Sequence, residues 1–354
     1  MTHDGGATLN QTLAEIGHDA TARKALIEAL VAWEKRAQRD GVDLRETVTG
    51  PLVDALHARV PEVTRRLASG IVFTMPYKSK IAREFAMGVE PLTHVWEPQT
   101  TRLLVALAER SRTIVVGGAY SGDHAIPMAR AIAPRNGRVH CFELQPAQLG
   151  ALKTNAAQNS LDNVVVNAVG LWDREGFIAL SGDDSHASPQ WVAERGQNSF
   201  PVTTIDRYAQ TAGIDRIDLI MLDIEGGEEC ALSGAARFLE LPANDAPHVV
   251  FEIHRAYVDW SGGIERTALA QLVLSRGYHL FALRDFQANV DMGDAPLEMV
   301  DLKSIHLEGP PHGFNLFATK RPEILSELGV ILREGVSPKL LRHRLSPLHQ
   351  PGRR

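Results

Sequence analysis

The chain has 354 residues, enough for one large domain with an appendage or for two domains. Its net charge of −6 gives no overall electrostatic footprint for nucleic acid, and 44% hydrophobic with 23% charged residues is the balance of a globular protein, not a disordered one. No apolar run approaches the roughly 18 residues of a membrane span, the start MTHDGGATLN has no signal-peptide pattern, and two cysteines, Cys141 and Cys230, give neither a disulfide framework nor zinc spacing.

A cytoplasmic enzyme is the expectation from these features. In chain order, Leu13, Ile16, Leu26, Ile27, Leu30 and Val31 recur at three- and four-residue steps and predict a helix over 11–40, ended by Gly41. A second helical pattern covers 51–69 and is interrupted by Pro61. Residues 70–98 read as an irregular covering segment that carries Tyr77, Lys80, His94, Trp96, Glu97 and Gln99, and a helix follows over 103–109. From Thr113 the texture changes to short apolar runs alternating with helical patterns. Strands are predicted at 114–116, 139–142, 164–168, 217–222, 249–253, 279–282 and 314–318, with helices at 122–133, 146–159, 227–240 and 264–275. A long polar stretch, 173–200, lies between the third strand and the fourth. Such alternation predicts an α/β fold, a doubly wound and mostly parallel sheet with helices on both faces. From Arg321 the chain is helical at first and then a basic tail, KLLRHRLSPLHQPGRR.

Three stretches carry chemistry. In TIVVGGAYSGDHA, a strand feeds a glycine turn and then a helix, a common cradle for the polar part of a nucleotide-like cofactor. Ala119 stands where a dinucleotide fingerprint needs its second glycine, and no Gly-Lys-Ser/Thr follows, so neither the NAD nor the phosphate-loop signature is met. The remaining Gly118-x-x-x-Gly122 spacing suits a cofactor without pyrophosphate, such as S-adenosyl-L-methionine. Glu143, at the end of the next strand, is placed to accept hydrogen bonds from ribose hydroxyls, and Ala168 and Val169 after the third strand to flank an adenine. Asn155, Asn159 and Asn163 read as capping and turn residues. Downstream, LDIEGGEE and FEIH end two buried strands with Asp223, Glu225, Glu252 and His254, which the two-residue period brings to one rim at the carboxyl ends of the strands. Like charges so close need a cation or donors between them, either a sulfonium or a divalent metal.

The ordered motifs VGGAYSG, CFELQP, LKTNAAQNSLDNV, LDIEGGE, VVFEIH and FNLFA, over about 113–319, resemble those of the FkbM family of S-adenosylmethionine-dependent methyltransferases. The resemblance implies a class I methyltransferase (Rossmann-like) fold with seven strands, the last antiparallel, and methyl transfer to an oxygen of a sugar, glycolipid or natural product. It implies a cofactor bed of Gly118, Ala119, Tyr120 and Gly122, with Glu143, Leu144, Ala168, Val169 and Asp223 completing the site. His254 or Asp223 is the expected base, Glu252 would orient His254, and Glu225 would hold a second hydroxyl or a metal; no dedicated metal ligand set is assigned. Three positions depart from the family pattern: Val116 replaces its acid, Tyr120 its asparagine and Met221 its lysine, and Asp123 and His124 are placed to supply polar contacts that Val116 cannot. The expected organisation is a helical and covering region (1–110), a methyltransferase domain (111–320) and a C-terminal helix with basic tail (321–354). The expected partners are a small-molecule or glycan acceptor, with a homodimer compatible with the sequence. The competing classes are a metal-assisted methyltransferase using the acid–histidine rim, a non-catalytic S-adenosylmethionine-binding protein and, against the glycine spacing, an NAD-dependent oxidoreductase.

Overall fold

Continuous apolar runs of four or five residues build the centre of the molecule, because a strand covered on both faces has no polar side. In the computed structural model, which describes residues 4–181, 188–307 and 313–342, such runs at the centre and less buried strands at the edges form one sheet of nine strands. They are β1 (Thr113–Gly117), β2 (Arg138–Phe142), β3 (Val164–Asn167), β4 (Leu219–Leu222), β5 (His248–His254), β6 (His279–Leu283), β7 (Glu298–Asp301), β8 (Gly313–Thr319) and β9 (Ile331–Arg333), in the spatial order β3-β2-β1-β4-β5-β8-β6-β7-β9. The first five in that order are parallel, and β8 runs antiparallel between β5 and β6. This is the expected doubly wound class I methyltransferase arrangement, with β6 and β8 as its last two strands. Beyond the expected seven, β7 and β9 extend the β6 edge.

Side chains alternate between the two faces. Ile114, Val116, Leu219 and Met221 join one core, whereas Val115, Ile220 and Leu222 join the other. The first face is covered by helices Pro98–Ala108, Ala125–Ile132 and Pro146–Gln158, and the second by Ile205–Ala212, the short helices of 228–239 and Ala268–Leu274. Val63, Phe73, Met75, Phe85 and Leu103 belong to the first core, so the segment before the sheet shares that core, the strand Val72–Pro76 docking on helix Pro146–Gln158.

Several predicted elements divide. The 11–40 helix is two, Asp4–Ile16 and Ala20–Ala37. A Cβ at Gly17 would sit 1.8 Å from the Leu56 carbonyl oxygen, and Asp19 caps the second helix by accepting from the Thr21 and Ala22 N–H groups at 2.8 and 3.1 Å. The 51–69 helix is corrected: helix Gly50–His57 stops before Pro61, and Glu62–Arg66 pairs with Val72–Pro76 as an antiparallel hairpin. The region after it is not irregular throughout, since Lys80–Ala86 is a helix capped by Ser79. The 227–240 helix breaks at Gly234, whose Cβ would lie 2.1 Å from the Trp172 carbonyl oxygen. The polar stretch 173–200 contains Gly176–Ser181, Ser188–Val192 and Ser199–Thr203, a small sheet joined by Gly170–Leu171 and packed through Trp172, Ile178 and Val202. After Arg321 come helix Ile324–Glu327, then β9, then Lys339–Leu340 paired with Asp285–Phe286. The end of the basic tail, 343–354, lies outside the described residues.

Candidate active site

The glycine loop follows β1 at the carboxyl edge of the sheet. Gly118 has φ +70°, and a Cβ there would meet the Asp223 carbonyl oxygen at 1.7 Å, so β1 and β4 approach at a point only glycine can occupy. The N–H groups of Gly118 and Ala119 both reach the Phe142 carbonyl at the end of β2 (3.0 and 3.1 Å). Tyr120, also left-handed at φ 46°, donates its N–H to Glu143 Oε2 at 2.9 Å. The other carboxylate oxygen of Glu143 accepts the N–H groups of Leu144 and Gln145, each at 2.8 Å. Burial raises the Glu143 pKa against these three donors, which favour the charged form. The Tyr120 hydroxyl hydrogen-bonds with Ser79 Oγ at 2.9 Å, tying the loop to the region before the sheet.

Across the edge, Asp223, Glu225 and Glu252 each offer an oxygen, and the three oxygens lie within 4.8 Å of one another. Burial first, then the charge of Glu225, pushes Asp223 well above the usual carboxylate range; for Glu252 the causes are burial and then Asp223. Glu225 adopts φ 54° and accepts the Tyr257 hydroxyl at 3.0 Å. Glu228 has a structural place: it accepts the N–H groups of Ile224 and Gly226 at 2.8 and 3.0 Å and so folds the turn that presents the acids. His254 accepts the Ala256 N–H on Nδ1 at 3.0 Å. A backbone amide can only donate, so a neutral ring carries its hydrogen on Nε2. The contact fixing Nδ1 is therefore this backbone amide, not the Glu252 carboxylate expected to orient the ring.

A second buried group adjoins the rim. His124 Nε2 lies 3.4 Å from Glu97 Oε2 and 3.8 Å from Asp123 Oδ2. Its Nδ1 is 3.1 Å from Thr101 Oγ1, whose single hydrogen goes to the Trp96 carbonyl at 2.9 Å. Nδ1 must then be the donor, and Nε2 faces two carboxylates, so the ring is an imidazolium. Burial opposes that charge, but Asp123 and Glu97 outweigh it and raise the pKa to about 9. Glu97 sits at φ 45° immediately before Pro98. It is fixed there by the Asn315 amide on Oε2 at 2.7 Å and by docking of the following helix, whose Gln99 and Thr100 N–H groups are capped by Asp285 at 3.0 and 2.7 Å.

All of this opens on one cleft of about 330 Å³. Of the residues expected at the site, Gly118, Tyr120, Glu143, Leu144, Asp223, Glu225, Glu252 and His254 line it. Ala119 and Gly122 do not; they are packed beneath the loop, where the Gly122 N–H closes a turn onto the Ala119 carbonyl at 2.8 Å. Ala168 and Val169 do not line it either. The chain leaves β3 at Asn167 and turns, so Gly170, Leu171 and Trp172 form that wall instead. Trp96, Asp123 and His124 join the lining, Trp96 from the covering segment and Asp123 and His124 as the polar pair expected after the glycine loop; Glu97 joins it without an expected role. The one sequence signal for Glu97 is its place before a helix-starting proline. Glu97, Tyr120 and Glu225, all in the lining, are left-handed non-glycine residues, a strain of about 1–3 kcal/mol each; Asn136 and Ser160 share that conformation in turns elsewhere.

Residues 117–280 match the Methyltransferase FkbM domain family. The chain is 26% identical over 198 residues to the 2-O-methyltransferase NoeI of Sinorhizobium fredii, covering 50% of this chain and 78% of the relative. Among solved structures, the methyltransferase FkbM from Methylobacillus flagellatus aligns with a TM-score of 0.36 and 16% identity, covering 59% of this chain. This chain spans 43% of the length of that protein. The O-methyltransferase from Bacillus cereus in complex with SAH aligns with a TM-score of 0.34 and 14% identity, covering 63% of this chain and 81% of the other.

Proposed function

We propose that this chain, whose residues 117–280 are an FkbM methyltransferase domain, is an O-methyltransferase that uses S-adenosyl-L-methionine and acts on a hydroxyl of a sugar, glycolipid or natural product. The observation that carries the reading is one cleft in which a glycine-loop cradle and a ribose-type acid meet a rim of three carboxylates and a histidine. The residues fit the cofactor: Gly118 leaves no side chain over the bed, Glu143 is an acceptor at the end of β2, and Leu144, Gly170 and Leu171 supply an apolar wall for the adenine. When bound, the cofactor supplies an activated methyl group on sulfur.

The chain's own task is alignment and proton removal. Asp223 takes the proton of the acceptor hydroxyl; its raised pKa makes it a better base than an ordinary carboxylate. His254, with Nδ1 engaged, presents Nε2–H as a donor to an acceptor oxygen, which replaces the expected role of base. Glu225 and Glu252 accept from neighbouring hydroxyls. Calorimetric titration should give saturable binding of S-adenosylhomocysteine and none of NADH, after which labelled methyl donor should mark a hydroxylated acceptor. His254→Ala should lower turnover about 10–100-fold, the range of one catalytic hydrogen bond, with S-adenosylhomocysteine affinity within twofold. Unchanged turnover would remove His254 from the reaction, and NADH binding in place of S-adenosylhomocysteine would sink the reading.

One observation favours a second reading, metal-assisted transfer. The 4.8 Å span of Asp223, Glu225 and Glu252 is about twice a calcium–oxygen bond of ~2.4 Å, so an all-oxygen donor set of this size suits a hard divalent cation. Activity lost on chelation and restored by Ca²⁺, Mg²⁺ or Mn²⁺ is the expected result under that reading. Full activity in excess EDTA leaves the metal-free route.

A further inference from the structure

The first 110 residues lie outside the match to the FkbM domain, yet Trp96 and Glu97 line the cleft. The group around Glu97 is unbalanced in charge. Two carboxylates, Glu97 and Asp123, face one imidazolium, His124, and the residues are 4%, 7% and 5% exposed. No further cation is within ion-pair distance of Glu97 or Asp123 among the described residues, and Asp223 adds another acidic influence on His124. The hydrogen bonding is also incomplete. Glu97 Oε2 accepts from the Asn315 amide at 2.7 Å. His124 Nε2 is in ion-pair range without forming a hydrogen bond, and Asn315 Oδ1 is buried without a partner. A net negative group this deeply buried is costly unless a cation completes it.

The cleft supplies the place for that cation. Asp123 and His124 follow the glycine loop by one and two residues, and all three acidic and basic groups line the same cavity as Gly118 and Glu143. A ligand whose ribose meets Glu143 and whose chain crosses Gly118 therefore runs toward this group. In S-adenosylmethionine the other end of that chain is an α-amino acid, whose ammonium carries three donors and one positive charge. The Val116 position, where an acid could have served, is a buried aliphatic residue facing the sheet core.

We propose that Glu97 and Asp123, bridged by His124, form the subsite for the cofactor's α-ammonium group, so that the segment before the FkbM domain completes the cofactor site. Thr101 and Asn315 are positioning residues: the first fixes the His124 ring, the second holds the Glu97 carboxylate. The proposal rests on the cofactor reading given above.

The test compares two ligands that share the adenosine and the sulfur. S-adenosylhomocysteine has the amino-acid end; 5′-methylthioadenosine lacks it. By calorimetry, Glu97→Gln and Asp123→Asn should each weaken S-adenosylhomocysteine at least tenfold while leaving 5′-methylthioadenosine within twofold of wild type. A variant that does not fold is replaced by a measurement on the wild-type chain: N-acetylated S-adenosylhomocysteine, which has no ammonium, should bind at least tenfold more weakly than the free amine. Equal losses for both ligands would assign Glu97 and Asp123 a structural role and overturn the proposal, as would undiminished S-adenosylhomocysteine binding or tolerance of the acetyl group. Failure of the wild-type chain to bind either ligand would instead overturn the cofactor reading, and this subsite with it.

Discussion

Gly118→Ala is expected to abolish S-adenosylhomocysteine binding and to destabilise the chain by about 2–5 kcal/mol. Two effects add. The φ of +70° is unfavourable for any residue with a Cβ, by roughly 1–2 kcal/mol. The new methyl would also lie 1.7 Å from the Asp223 carbonyl oxygen, and backbone cannot rotate away as a side chain can, so the overpacking costs a further ~1–3 kcal/mol. Relief requires the ends of β1 and β4 to part, which moves Asp223 and widens the cradle together. The check is thermal unfolding, with a fall on the order of 10 °C, beside calorimetry. Gly150→Ala is the control. It lies in the helix Pro146–Gln158 with nothing within 4 Å of its would-be Cβ, and should be neutral or stabilising by up to ~1 kcal/mol. If both variants melted like wild type, the close approach of loop and strand would not exist as described.

The second large effect is expected at Glu143. Glu143→Gln should weaken both S-adenosylhomocysteine and 5′-methylthioadenosine about 100-fold, because the ribose is common to both and a hydrogen bond to a charged partner is worth about 1.5–3 kcal/mol. The amide also turns a donor toward a site already fed by the N–H groups of Tyr120, Leu144 and Gln145. Glu143→Ala should add instability, since those three donors lose their acceptor. Parallel loss of the two ligands separates this position from Glu97, where only the ligand with an amino-acid end should suffer. Binding of 5′-methylthioadenosine to Glu143→Gln within threefold of wild type would take the ribose away from this residue.

What the sequence made legible follows from where each residue stands. Glu143, Asp223, Glu225, Glu252 and His254 end apolar runs, and a run buried on both faces announces both the strand and its carboxyl end, so all five were placed on the cleft correctly. Glu97 was not legible. Its place depends on a helix capped by Asp285, 186 residues away from Gln99, and no local pattern records that contact. His254 was legible as a site residue, but its protonation was not, because the Ala256 N–H reaches Nδ1 only through the turn that follows β5. The hairpin straddles two expectations: Glu62–Arg66 falls in the 51–69 stretch expected to be helical, and Val72–Pro76 in the stretch read as irregular. Val63 and Leu67 are buried from a strand and the turn after it, and the helix ends before Pro61. The 173–200 stretch reads only as polar since a small sheet needs few apolar residues, here Ile178 and Val202 with Trp172.

Asn155 and Asn159, read as capping residues, do something else. Asn155 accepts the Thr74 N–H and donates to the Thr74 carbonyl, both at 2.8 Å; Asn159 does the same with Val72, at 2.8 and 2.7 Å. Four residues of helix rise about 6.0 Å and two residues of strand about 6.6 Å, so the amides match alternate peptide groups along the strand. Each amide thus stands in for the peptide unit of a neighbouring strand. The outer border of a two-stranded hairpin would otherwise be a template on which another polypeptide could add by backbone pairing. Here the Val72–Pro76 border is already occupied from within, and that edge of the hairpin is closed to recruitment into aggregates.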